Sequence, residues 1–115
     1  KPDIDTYTQL EELNLLDVFV ALDKDKLVGL IVSIHNVMPH YTKKCTTVES
    51  LYVNQEYRGY GTAKRLVDSA KANAKANGSI IMFMSLPYGD MLGKVANSFG
   101  FTPTNVTYSQ GLTDE

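Results

Sequence analysis

Cysteine is nearly absent from this chain, and Cys45 stands alone. One thiol builds neither a disulfide framework nor a cysteine cluster for zinc, so Cys45 reads as a small core residue in a reducing compartment. Histidine is almost as scarce. His35 and His40 flank Asn36-Val37-Met38-Pro39 as loop residues, and with no third ligand no metal site is expected. Excess charge is missing too: eleven Lys and Arg against thirteen Asp and Glu leave a net charge of −2. That balance supplies no basic field for nucleic acid or a membrane surface. No apolar run approaches the roughly 20 residues that a membrane-spanning helix needs. Lys1-Pro2-Asp3 lacks the shape of a signal peptide, and nothing repeats. What is left is a soluble chain of 115 residues, 43% hydrophobic and 21% charged. A chain of that length buries roughly two-thirds of its unfolded surface, enough for one core. A single domain over residues 1–115 is expected, in the cytoplasm.

The patterning suggests alternating elements. Leu10, Leu13 and Leu16 fall at helical spacing, which predicts a short helix around Thr8–Asn14. Asp17–Leu22 and Leu27–Ile34 read as strands joined by a turn at Asp23–Lys26, most simply an antiparallel hairpin. His35 to Lys44 reads as a loop, and Cys45 to Val53 as a third strand. From Thr62 to Asn77 the period becomes helical, with Ala63, Leu66, Val67, Ala70 and Ala74 on one face and Asn77-Gly78 as the stop. Ile80 to Met84 is an unbroken apolar run, the pattern of a strand covered on both faces. Gly89 to Phe99 predicts a short helix ended by Gly100, and Phe101 to Leu112 a last strand or hairpin. Two strands joined by a helix favour parallel neighbours, while the hairpin makes the rest antiparallel. The fold class is therefore α/β or α+β: a mixed, mostly antiparallel sheet with flanking helices.

The sharpest feature is Arg58-Gly59-Tyr60-Gly61-Thr62-Ala63, placed between a strand and a helix. Two glycines let backbone amides approach a ligand closely, and the helix start adds its own N–H groups and about half a positive charge. Such a place suits phosphate or diphosphate, and the Arg58 guanidinium suits phosphate oxygens. The Walker loop fails here, since no Gly-Lys-Ser/Thr follows at the required spacing. The dinucleotide fingerprint fails because Lys64 occupies its third small position.

The same six residues resemble the GNAT family of N-acetyltransferases, whose pattern is Gln/Arg-x-x-Gly-x-Gly/Ala. Val48 to Tyr57 also looks like that family's strand before the loop, and Phe99-Gly100-Phe101 like the Gly-Phe after its last helix. The likeness runs from about Asp17 to Tyr108 and is dense from Val48 to Val67. It implies an acyl-coenzyme A N-acyltransferase fold and an acetyl-coenzyme A site, with no metal. The amides of Arg58, Gly59, Tyr60, Gly61, Thr62 and Ala63 would hold the diphosphate. The backbone of Leu51, Tyr52 and Val53 would pair with the pantetheine arm. The expected partners are an amine acceptor of open identity and, as one option, a second copy of the chain.

Two departures matter. Family members usually open with a strand and two helices, so this chain looks shortened at its N-terminus. Many carry a Tyr acid five positions before the second Phe of this motif, where Ala96 stands here. Tyr88 and Tyr108 are alternatives for that proton. Glu49 is the candidate base: a regular strand puts it on one face with Thr47, Leu51 and Val53, surroundings that should raise a carboxyl pKa. Two functions stay open at this point. One is acetyl transfer to a primary amine in a ternary complex; the other is a non-catalytic module that only binds coenzyme A.

Overall fold

Four strands and one long helix carry the fold in the computed structural model, which describes residues 15–38, 43–85, 96–104 and 107–113. Strands β1 (Leu16–Asp23) and β2 (Lys26–Met38) form the expected hairpin, and β3 (Lys43–Val53) continues it antiparallel. A 3-10 turn at Gln55–Tyr57 and helix α1 (Thr62–Ala76) then cross over to β4 (Ile81–Met84), which is parallel to β3. The sheet order is β1-β2-β3-β4, the mixed, mostly antiparallel sheet that the patterning predicts.

Helix α1 buries Thr62, Leu66, Val67, Ala70 and Ala74, which repeat every three or four residues. Leu66, Val67 and Ala70 close the core over Ile31, Val48 and Val53 of the sheet. Burying a side chain the size of Leu66 or Val67 contributes about 1.5–3 kcal/mol. The helix stops where Asn77-Gly78 predicts. Gly78 takes φ +88°, the Gly78 amide donates to the Lys75 carbonyl, and the Ser79 amide donates to the Ala74 carbonyl. That paired closure satisfies the orphan carbonyls of the last turn. Cys45 is buried, with its thiol on the Asn36 side-chain oxygen.

Three expectations change. The predicted loop from His35 to Lys44 is mostly ladder, because His35 pairs with Thr46, Asn36 with Cys45 and Val37 with Lys44. Cross-strand partners outweigh the weak strand preference of His, Asn and Lys. The apolar run at Ile80 is covered less than predicted. Ile80 lies before the strand, Ile81 is exposed, and Met82 to Met84 are half-buried. Strand β4 has β3 as its partner and, among the described residues, no strand on its other edge. Residues 101–104 and 107–113 contain no strand where a last strand or hairpin is predicted. Of the predicted second helix only its final turn, residues 96–98, falls among the described residues, and it ends at Gly100 as predicted. The helix predicted around Thr8–Asn14 lies outside the described residues.

Candidate functional site

The two parallel strands part company early. Strand β4 pairs with β3 only from Cys45–Ile81 to Val48–Met84, while β3 runs five residues further, to Val53. Along Glu49–Val53, no described strand takes the β4-side edge. The Val53 carbonyl on that edge accepts from Arg58 Nε, and the backbone of Leu51 on it is open to a partner from outside the sheet. Ser50 to Val53 keep their pairing with β2 on the other edge, so this stretch stays straight and extended.

A β-bulge sits at the fork. Val32 pairs with Ser50 and Ser33 with Val48, so the register skips Glu49. The extra residue reverses the alternation: Thr46 and Val48 are buried before it, whereas Val53 is buried and Leu51 packs on the core after it. Glu49 therefore does not share a face with Leu51 and Val53. Its side chain is exposed and accepts the Ser50 hydroxyl at 3.0 Å, so the apolar surroundings expected of it are absent.

Beyond Val53 the chain turns through Arg58–Gly61 into α1. Gly59 and Gly61 take φ +88° and +82°, conformations that side chains disfavour, and Gly61 caps the helix with no side-chain hydrogen bond. Among the described residues, nothing accepts from the amides of Gly59, Tyr60, Gly61, Thr62 or Ala63. Unpaired amides and the positive end of α1 converge here, a chemistry that suits an anion.

The arginines behave differently from the expectation for Arg58. The Arg58 Nε donates to the Val53 carbonyl at 2.9 Å, which braces the loop against the end of β3. Arg65, which the motif leaves out, lies one helical turn past Gly61. Its Nη1 donates to the Tyr60 carbonyl at 3.2 Å and its Nη2 to the Thr62 hydroxyl at 3.4 Å. The four-residue spacing and the backward tilt of helical side chains were the available signals.

Other candidates separate. Tyr52 is exposed and donates to the Asn54 side chain. Tyr57 donates its hydroxyl to Asp23 at 2.6 Å, and that bond is the main cause that holds its phenol above the ordinary value. His35, expected in a loop, is buried in β2 between Asp17 and Thr46. Ala96 sits in the last turn before Gly100, where its carbonyl accepts from Phe99 and Phe101. Tyr108 is exposed, while Tyr88 and His40 lie outside the described residues. Among the described residues, no three His, Cys, Asp or Glu gather as a metal set, and no helix is long and apolar enough to cross a membrane.

Comparison with known proteins follows the same geometry. The sequence matches the acetyltransferase (GNAT) family over residues 2–87. A search among curated proteins gives no significant match. The fold is similar to an aminoglycoside acetyltransferase from an uncultured soil metagenomic sample, solved with sisomicin, at TM-score 0.82 and 22% identity, covering 98% of this chain and 76% of that one. It is similar to a ribosomal-protein-alanine N-acetyltransferase from Brucella melitensis at TM-score 0.76 and 20% identity, covering 97% and 82%. It is also similar to glucosamine-6-phosphate N-acetyltransferase from Arabidopsis thaliana at TM-score 0.82 and 11% identity, covering 96% and 76%. At these identities the likeness speaks for the fold.

Proposed function

The chain belongs to the GNAT acetyltransferase family, and on that premise we propose that it moves an acetyl group from acetyl-coenzyme A to a primary amine. One observation carries the reading: a stretch of β3 edge that β4 does not cover leads directly into five unpartnered amides at a helix start. The two fit a donor with a peptide-like arm and a diphosphate. In this reading the edge of Leu51, Tyr52 and Val53 pairs with the arm, and the Arg58–Ala63 loop receives the diphosphate. Arg58 and Arg65 contribute charge and bracing.

Positioning then supplies much of the rate, because amine and thioester are held together in one ternary complex. The amine nitrogen attacks the thioester carbon, the C–N bond forms, and the C–S bond breaks. A backbone N–H on the open edge of β3 would meet the charge that develops on the carbonyl oxygen. Glu49, exposed at the bulge, takes the proton from the ammonium acceptor directly or through water. The departing thiolate draws its proton from solvent or from the attacking nitrogen as it becomes the amide, since Ala96 offers none.

The acceptor is an amine of open class. The fold neighbours named above include enzymes for an aminoglycoside, a ribosomal protein and glucosamine 6-phosphate. Such different acceptors on one fold support a shared donor site and say nothing of this chain's acceptor. The lone thiol of Cys45 supports a reducing, cytoplasmic setting. A second reading, a module that binds coenzyme A without transfer, is favoured by the alanine at position 96.

Direct titration with coenzyme A, alongside thiol release from acetyl-coenzyme A over a panel of amines, tests both. Binding with amine-dependent release is expected. Binding without release to any amine supports the module, and absence of binding sinks both readings.

A further inference from the structure

We infer that Arg65 is a positioning residue for the diphosphate loop, an inference that rests on the coenzyme A reading above. It concerns a single peptide plane. The Tyr60 carbonyl accepts from Arg65 Nη1, and no peptide bond is cis among the described residues. In a trans peptide the carbonyl and the next N–H point in opposite directions. Holding the Tyr60 carbonyl toward Arg65 therefore aims the Gly61 N–H away from it.

That plane needs holding. It joins Tyr60 to a glycine at φ +82°, and Gly59 on the other side of Tyr60 also has positive φ. Glycines rotate between positive and negative φ at little cost, so the peptide between them can turn over. A flip would present a carbonyl oxygen where the anion requires an N–H.

Three further observations agree. A Cβ added at Gly61 would stand 3.3 Å from Arg65 Nη1, so the guanidinium packs directly over the missing side chain. The second arm of the fork reaches the Thr62 hydroxyl, tying the first residue of α1 to the same group. Arg65 also borders the groove between α1 and β1, together with Asp23, Tyr57 and Ser69. It lies on the β1 flank of the helix, whereas the open fork lies beside β3 and β4. Arg65 thus acts through the loop and makes no direct contact with the donor. A planar guanidinium can hold two oxygens at once, which an ammonium cannot do with the same geometry.

The test compares affinity for coenzyme A with affinity for pantetheine, which lacks the diphosphate, in the unmodified protein, Arg65→Met and Arg65→Lys. Coenzyme A binding should weaken about five- to tenfold in Arg65→Met, the net scale of one ordinary hydrogen bond. Pantetheine binding should not change, and Arg65→Lys should recover only part of the loss. The Gly61 amide resonance of the unliganded protein should move in Arg65→Met. Unchanged coenzyme A affinity in Arg65→Met overturns the role, as does equal weakening of both ligands. Full recovery in Arg65→Lys overturns it in favour of a direct charge contact. If the unmodified protein binds no coenzyme A, the reading beneath the inference fails and the inference with it; binding that ignores Arg65 leaves the reading standing.

Discussion

The imidazole of His35 donates its Nε2 proton to the Oδ2 of Asp17 across 2.5 Å, joining neighbouring strands beneath helix α1. Its other ring nitrogen, Nδ1, hydrogen-bonds with the Thr46 hydroxyl at 2.7 Å. The Thr46 and Ser79 hydroxyls share a hydrogen bond at 2.7 Å, and Asn73 of α1 donates to the same Asp17 oxygen. Five segments of the chain meet in this row of side chains.

His35→Leu removes the centre of that row and leaves the Thr46 hydroxyl, which is fully buried, with Ser79 alone. The expected loss is about 2 kcal/mol, the scale of a hydrogen bond to a charged group with its partner left behind. Asp17→Asn keeps an acceptor oxygen and should cost roughly half as much. Urea unfolding measures both. A His35→Leu midpoint equal to that of the unmodified protein would show that the row contributes nothing.

Tyr57 and Asp23 give a prediction in alkali. The hydrogen bond to Asp23 is the largest cause that raises the Tyr57 phenol above 10.0, followed by burial and the nearby charges of Asp23 and Glu56. A folded value above the unfolded one means that its stabilising effect is intact below 10.0 and lost as pH climbs through the folded value. Phenolate absorbance should therefore include a late component from Tyr57. That late component should vanish in Tyr57→Phe and move to lower pH in Asp23→Asn. Its persistence in Tyr57→Phe would assign it to another tyrosine.

Gly61→Val strains a backbone at φ +82° and pushes a side chain at the Arg65 guanidinium, 3.3 Å away. The left-handed conformation alone costs about 1–2 kcal/mol. Coenzyme A affinity should fall further than that strain lowers stability, because in the proposed reading the same amide meets the diphosphate. Titration that finds the affinity unchanged removes the diphosphate from this loop.

Glu49→Gln keeps the shape of the side chain at the bulge and removes its ability to take a proton. Coenzyme A affinity should stay within about twofold, since the β3 backbone is untouched, while turnover falls roughly 10²-fold. An undiminished rate would mean that the amine arrives deprotonated and that Glu49 is a solvated bulge residue.

The sequence by itself determined the features that depend on neighbours within about one turn of chain. The spacing of Leu66, Val67, Ala70 and Ala74 sets the buried face of α1, and Asn77-Gly78 sets its end. Gly59 and Gly61, between a strand and a helix, mark the loop because positive φ is an intrinsic property of glycine. The family pattern is built from the same short-range features, so it is legible without coordinates.

Tertiary structure alone decided the surroundings of Glu49, His35 and Arg65. Glu49 left the core because β2 pairs with residues on either side of it, a matter of register between strands that periodicity within one strand does not contain. His35 became a buried link through partners 11 and 18 residues away, and Asn73 reaches Asp17 across 56 residues. Spacing alone makes Arg65 one more exposed charge on a helix, and the path of the loop brings the Tyr60 carbonyl within its reach. Composition and spacing act along the chain, whereas a bulge, a buried hydrogen bond and a held peptide plane arise only when distant segments are brought together.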